Sequence, residues 1–440
     1  MPRLSGPIAV QASRVADTPS QPPMQAVASA APSSPPSEGM RVLRPRRAAP
    51  ADAVRPTRAE INLTALRHNL RVVQRHARDA RVWAVLKADG YGHGAPAVAR
   101  TLERAGADGF CVALLEEGIE LREAGINAPI LVMGGYYGGA HAEVLERGLV
   151  PVVYDLAQVE GFARLVRMGA VDGPVDVHLK IDTGMARLGV TLRELASFAE
   201  RLRAIPEVRV RGLMTHLACA DAPTSEETLE QTLRFDEATA LLARHGVRAE
   251  VRHAANSASV LRGDALFDAV RPGVALFGVS PVAKDAGASE PGATEGSPLS
   301  SELRQVMRVR TEVIAVREIE AGESVGYGAL WRAARRSRIA TVAMGYADGL
   351  SRHLSNRGHM LIRGKRAPIV GAVSMDMSML DVTDLPAVAV RDEAVALGAQ
   401  EGPLGRDAIS PDEVAAHSGT IAWEVLTSIS RRVPRFYREP

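Results

Sequence analysis

The chain has 440 residues, enough for two or three domains with a large core. It is 46% hydrophobic and 24% charged, with a net charge of +2 from 53 basic and 51 acidic side chains. That balance leaves no basic footprint for nucleic acid or an anionic membrane, and neither partner is expected.

Residues 1–55 are rich in Pro, Ala, Ser and Arg and show no periodicity, so they read as a disordered extension. No continuous apolar stretch suggests a secretory signal, and a cytoplasmic location is expected. In INLTALRHNLRVVQRHA, Leu66, Leu70 and Val73 fall at helical spacing after Thr64, a candidate cap. Eight short β-type runs then alternate with helical stretches: 82–87, 109–114, 129–133, 151–154, 175–181, 208–216, 249–255 and 268–278. This count fits a parallel (β/α)8 barrel of the TIM type better than an open sheet, and the α/β domain is placed at 56–282. Residues 283–300, AKDAGASEPGATEGSPLS, form a low-complexity loop. Residues 301–440 then read as a mostly β domain, with one helix at SPDEVAAHSG capped by Ser410.

No apolar run approaches the roughly 20 residues needed to span a bilayer. Cys111 and Cys219 lie far apart in apolar surroundings, without metal-ligand spacing. They read as reduced, buried thiols, and neither a disulfide framework nor a metal is expected.

In such a barrel, side chains at the C-terminal strand ends face the active site. AVLKADGYGHG (84–94) places Lys87 and Tyr91 after the first run. Lys180 lies near the end of the fifth and Arg187 follows it, His216 follows the sixth, and Asn256 with Ser257 the seventh; Arg271, Gly273 and Val274 lie in the eighth. Singly, each has a plain structural reading as a rim residue, a cap or a turn. Together they describe a chemistry. A lysine in a desolvated mouth has a lowered pKa and can form a Schiff base with a carbonyl cofactor. Gly273, Val274, Ser257 and Tyr91 offer the backbone N–H groups and hydroxyls a phosphate needs.

AVLKADGYGHG resembles the pyridoxal-phosphate lysine motif of alanine racemases. HLKIDTGMARLG, THLACAD, HAANSAS, RPGVALFG, SVGYGALW, AMGYADGL, VSMDMSMLDVT and SISRRVPRFY resemble further blocks of that family, in its order, over residues 56–440. The resemblance implies a pyridoxal 5′-phosphate enzyme that interconverts L- and D-alanine and supplies D-alanine for peptidoglycan. It implies Lys87 and Tyr327 as the two catalytic bases, with Tyr327 reaching in from the other subunit of a head-to-tail homodimer. Arg271 would face the pyridine nitrogen, and His216 would lie against the ring and bond toward Arg271. Tyr91, Asn256, Ser257, Gly273 and Val274 would surround the phosphate. Arg187 and Met375 would bind the substrate carboxylate. Lys180, resembling a lysine often carbamylated in the family, would orient Arg187, and Tyr346 and Asp376 would line the approach.

Two positions depart from the family pattern. Trp423 stands where a tyrosine is usual, replacing a hydroxyl at the phosphate by an indole N–H, and Ser374 stands where cysteine is frequent. Alanine remains the expected substrate, with altered selectivity. The competing readings are a broader amino-acid racemase, a pyridoxal-phosphate decarboxylase and a non-catalytic carrier of the cofactor.

Overall fold

Eight of the apolar runs become a closed ring of parallel strands. The computed structural model describes residues 54–439 except 135, 136, 138, 223, 224 and 282–301. The extension up to residue 53 and the low-complexity loop lie outside the described residues. In chain order the first ten strands are β1 (Arg58–Asn62), β2 (Arg81–Val85), β3 (Gly109–Val112), β4 (Ile130–Val132), β5 (Val150–Val153), β6 (Val175–Asp182), β7 (Val190–Thr191), β8 (Val208–Met214), β9 (Val251–His253) and β10 (Ala269–Val270). Strands β2 to β6 pair in sequence, β6 then pairs with β8, and β10 closes the ring on β2. β7 only extends β6. Parallel strands are buried on both faces, which is why they read as continuous apolar runs: all four residues of β3 are buried.

The expected limits shift where local chemistry stops pairing. The last run ends at Val270, because Pro272 lacks an N–H for the ladder, and a 3-10 turn follows at Val274–Phe277. The run at 208–216 ends at Met214. The helix Leu63–Ala77 is capped by Asn62, whose Oδ1 accepts from Ala65 N at 2.9 Å; Thr64, the expected cap, lies inside the first turn.

β1 does not join the barrel. It runs antiparallel to Met307–Ile319 and parallel to Arg435–Arg438, inside the sheet of the second domain. The second domain therefore begins with residues that the sequence reading gave to the first. Glu60 on β1 is 6% exposed and accepts from Arg58, Arg308, Arg310 and Arg438. Arg55, read as part of the disordered extension, donates to both carboxylate oxygens of Asp348 at 3.0 Å. Strands Ser337–Val342, His359–Ile362 and Glu393–Gly402 complete most of this mainly antiparallel sheet. The helix Pro411–Ser418 carries the expected Ser410 cap, 3.1 Å from Glu413 N, and Ala422–Ser428 is a further helix. No helix among the described residues is long and apolar enough to cross a membrane.

The second domain grips the barrel through Arg435. The guanidinium has five N–H donors, and all five meet carbonyl oxygens. Nε and Nη2 donate to Gly92 O at 3.0 and 2.9 Å, Nη2 to Ile429 O at 2.6 Å, and Nη1 to Ser430 O and Val433 O at 2.5 and 2.6 Å. Removing such a donor set strands buried acceptors on both domains. Arg435→Met should lower stability by about 3 kcal/mol or more, read from urea midpoints. A loss under about 1 kcal/mol would contradict this role.

Candidate active site

β2 delivers its chain end to the barrel mouth, and there the backbone reverses hand. Ala88, Asp89, Gly90 and Tyr91 have φ of 52°, 59°, 60° and 52°, and Gly92 follows at 77°. Left-handed geometry costs roughly 1–2 kcal/mol for each residue with a Cβ, so this turn is held rather than chosen. Gly90 N bonds Leu86 O at 2.8 Å, Gly92 N bonds Ala88 O at 2.9 Å, and Gly94 N bonds Asp89 O at 2.9 Å. The Asp89 carboxylate accepts from Ala95 N at 2.8 Å. Glu117, which sequence reasoning missed, accepts from Ala88 N at 2.6 Å with one oxygen and from Ala113 N and Leu114 N with the other. Gly92 also makes room for the second domain, since a Cβ there would sit 2.3 Å from Leu426 O.

The turn sets Lys87 and Tyr91 on one cavity. Its lining brings together Lys87, Tyr91, His216, Asn256, Ser257, Arg271, Gly273, Val274 and Trp423, along with Val85, Met133 and Ala258. Lys87 is held below the ordinary 10.5, first by desolvation and then by Arg187, against the pull of Glu117. Burial pushes Tyr91 well above its ordinary range, so its hydroxyl stays a donor. Burial and then Arg271 press His216 down to about 3, leaving a neutral ring.

One end of the cavity is built for an anion. The Ser257 hydroxyl oxygen accepts from Gly273 N at 2.8 Å and Ala275 N at 3.3 Å. With both lone pairs engaged, its proton is left to donate. Asn256 is the true cap of the helix Ser257–Arg262, accepting from Ala258 N and Ser259 N at 3.0 and 3.2 Å. A Cβ on Gly273 would lie 2.2 Å from the Tyr91 hydroxyl, so the absence of a side chain there is what lets that hydroxyl in. A primary amine at one side and the Ser257 and Tyr91 hydroxyls at the other fit the carbonyl and phosphate of pyridoxal 5′-phosphate.

Arg271, 3% exposed, also lines the cavity. It donates to His253 Nδ1 at 2.6 Å, Thr215 O at 2.7 Å and Ala254 O at 3.1 Å. The bond expected toward His216 goes to His253 instead. His253 then carries its proton on Nε2 and donates it to His178 Nδ1 at 2.8 Å. Burial lowers Arg271 to about 10, still cationic at neutral pH.

Lys180 is 6% exposed and is lowered to about 8, first by desolvation, then by Arg187 and Arg271. Asp182 shapes the loop that carries Arg187, its Oδ1 accepting from Gly184 N and Ala186 N at 3.0 and 3.1 Å. Buried Gln231, also missed, ties Thr183 to His216: its Nε2 donates to Thr183 Oγ1 at 3.1 Å and His216 O at 3.0 Å. Neither Gln231 nor Glu117 carries a sequence signal beyond its place on a helix.

Six expected residues do not line this cavity: Lys180 and Arg187 on the barrel, and Tyr327, Tyr346, Met375 and Asp376 on the second domain. Tyr327 and Met375 are 75% and 53% exposed on the second domain, and Tyr346 is 42% exposed. Asp376 accepts from Arg432, which also bonds Asp348.

The chain matches the family model described as alanine racemase, N-terminal domain, over residues 61–281, and its C-terminal counterpart over 306–437. It is 58% identical over 394 residues to an alanine racemase of Sorangium cellulosum, covering 88% of this chain and all of that one. With an alanine racemase of Symbiobacterium thermophilum the identity is 44%, over 88% of this chain and 98% of the relative. Among solved structures, alanine racemase from Streptomyces lavendulae superposes with a TM-score of 0.79 at 32% identity, covering 88% of this chain and 98% of that chain. The Bartonella henselae enzyme, with covalently bound pyridoxal phosphate, gives 0.76 at 29% identity, covering 87% and 99%.

The low pKa of Lys180 depends in part on its cationic neighbour. In buffer free of carbon dioxide, Arg187→Met should move its midpoint from about 8 toward 10.5. Lysine ε-methylene NMR across pH 7–11 would read this, and an unchanged midpoint would contradict it.

Proposed function

Since the chain belongs to the alanine racemase family, we propose that it interconverts L- and D-alanine with pyridoxal 5′-phosphate held on Lys87. The observation that carries the reading is the cavity that joins Lys87 to the anion cradle of Tyr91, Ser257 and Gly273. When bound, the cofactor supplies an electron-withdrawing conjugated system that acidifies the α-hydrogen of an attached amino acid.

The residues of this chain do the rest. The Lys87 amine, lowered by desolvation and Arg187, holds or gives a proton at Nζ on one face of the substrate. Tyr91 and Ser257 donate hydroxyl protons to the phosphate, with Asn256, Gly273 and Val274 around it. Arg271 stays cationic and, set toward the pyridine nitrogen, disfavours a second positive charge there. His216 offers a neutral flat ring to the cofactor. Lys180, with a pKa of about 8, has neutral amine available to take up carbon dioxide as a carbamate that orients Arg187 toward the substrate carboxylate.

Inversion needs a second proton carrier on the opposite face, and among the described residues lining the cavity Tyr91 and His216 are engaged with the cofactor in this reading. Tyr327 from a second copy fills that role in a head-to-tail homodimer, with Met375 N–H at the carboxylate and Tyr346 and Asp376 along the approach. Supporting this are the large apolar side chains that the second domain exposes: Tyr327, Leu330, Tyr346, Met375 and Met377. D-alanine made in the cytoplasm would supply peptidoglycan, a part of the reading supported by family membership alone.

Incubating the protein with L-alanine should yield D-alanine, followed by chiral chromatography. Lys87→Ala should lose the visible absorption of lysine-bound cofactor, and Tyr327→Phe should keep it while turnover falls by at least about 100-fold. Mixing the two inactive variants should restore roughly a quarter of parental activity, because mixed dimers hold one intact site. No recovery on mixing counts against the shared site, and carbon dioxide release without inversion would favour a decarboxylase.

A broader racemase is the second reading, and Trp423 on the cavity wall is the observation that favours it. Trp423→Tyr should shift the ratio of alanine to serine racemisation; an identical ratio would remove Trp423 from substrate choice.

A further inference from the structure

Away from the cavity, among the described residues, one group of His and Glu side chains comes together in the second domain. We propose that His359, Glu413 and His417 form a three-ligand site for a divalent transition cation of the zinc class, with a fourth position open to water. Glu413 and His417 lie four apart on the helix Pro411–Ser418, so they share one face. His359 opens the strand His359–Ile362. One ligand atom from each lies within 4.8 Å of the other two. Metal bonds of 2.0–2.2 Å place tetrahedral ligand atoms roughly 3.4 Å apart, within reach of side-chain rotation.

An independent observation points to a ligand. The Nδ1 atom of His359 is buried and has no hydrogen-bond partner. A buried imidazole nitrogen left this way forfeits hydrogen bonding it had in water, and a metal bond would replace it. The donor set selects the metal class. Two imidazoles and one carboxylate suit zinc and its neighbours, whereas calcium and magnesium prefer oxygen alone.

The surrounding charge is accommodated. Arg366 donates to both oxygens of Glu413, and its Nε also donates to Asp407 at 2.8 Å. A cation takes one Glu413 oxygen and leaves the other to Arg366, while Asp407 continues to neutralise the guanidinium. The bound ion would brace the strand against the helix that precedes Ala422–Ser428, the helix bearing Trp423.

The test uses untagged, full-length enzyme treated with a chelator and dialysed. Calorimetric titration with zinc chloride should show one equivalent per chain, and cobalt(II) should give the visible bands of a four-coordinate ion. His359→Gln and His417→Gln, which leave the Arg366 pairs intact, should each weaken zinc binding about tenfold or more. Parent enzyme that takes up neither metal, or variants that bind zinc as the parent does, would overturn the site.

Discussion

Everything at the barrel mouth depends on a single turn of reversed hand. Ala88 to Tyr91 sit in backbone geometry that L-residues avoid, and only Gly90 and Gly92 enter it without strain. The gain is direction. A right-handed turn at this point would carry the chain away on another path, whereas the left-handed one sets Lys87 and Tyr91 on the same cavity. The cost is offset by a bonded surround: Asp89 and Glu117 fix the turn from within the barrel, and Arg435 holds the Gly92 carbonyl from the other domain.

That last contact makes the two domains one chemical object. Gly92 lies so close to Leu426 O that no side chain fits between them, and the same helix brings Trp423 to the cavity wall. The second domain thus closes its own barrel's site on one side. Its exposed Tyr327 and Met375 lie outside that cavity. Behind the site, Arg271 is seated on a neutral His253 that leans on His178, so its charge is oriented by uncharged groups.

What could be read from the sequence follows from burial and position. Parallel strands buried on both faces leave apolar runs, and polar residues that end those runs stand out; hence Lys87, His216, Ser257 and Arg271 were legible. The left-handed turn was not, because Ala88 and Asp89 carry no mark of it. Glu117 and Gln231 act through backbone groups distant in sequence and look like ordinary helix polar residues. His253 sat within a quoted block, yet its bond to Arg271 is a matter of rotamer and depth. Five residues, RAEIN, gave no sign that their partners lay at the other end of the chain.

The place of β1 has a consequence for how the molecule comes to exist. Its partner strands lie far downstream, and Glu60 meets Arg438 across 378 positions. At about 5–20 residues per second of synthesis, roughly 20–75 s separate the appearance of one from the other. Within that interval the eight barrel strands are made first, then Met307–Ile319 can pair with one edge of β1, while the other edge stays open until Arg435–Arg438 arrives. This side of the second sheet is sealed only when Arg435–Arg438 arrives, so a strand made late acts as the latch for one made early. Nascent chains that reach past Ile319 but stop short of Arg435 would thus carry a complete barrel and a β1 paired on one side only, the kind of exposed edge that chaperones bind and that aggregation recruits.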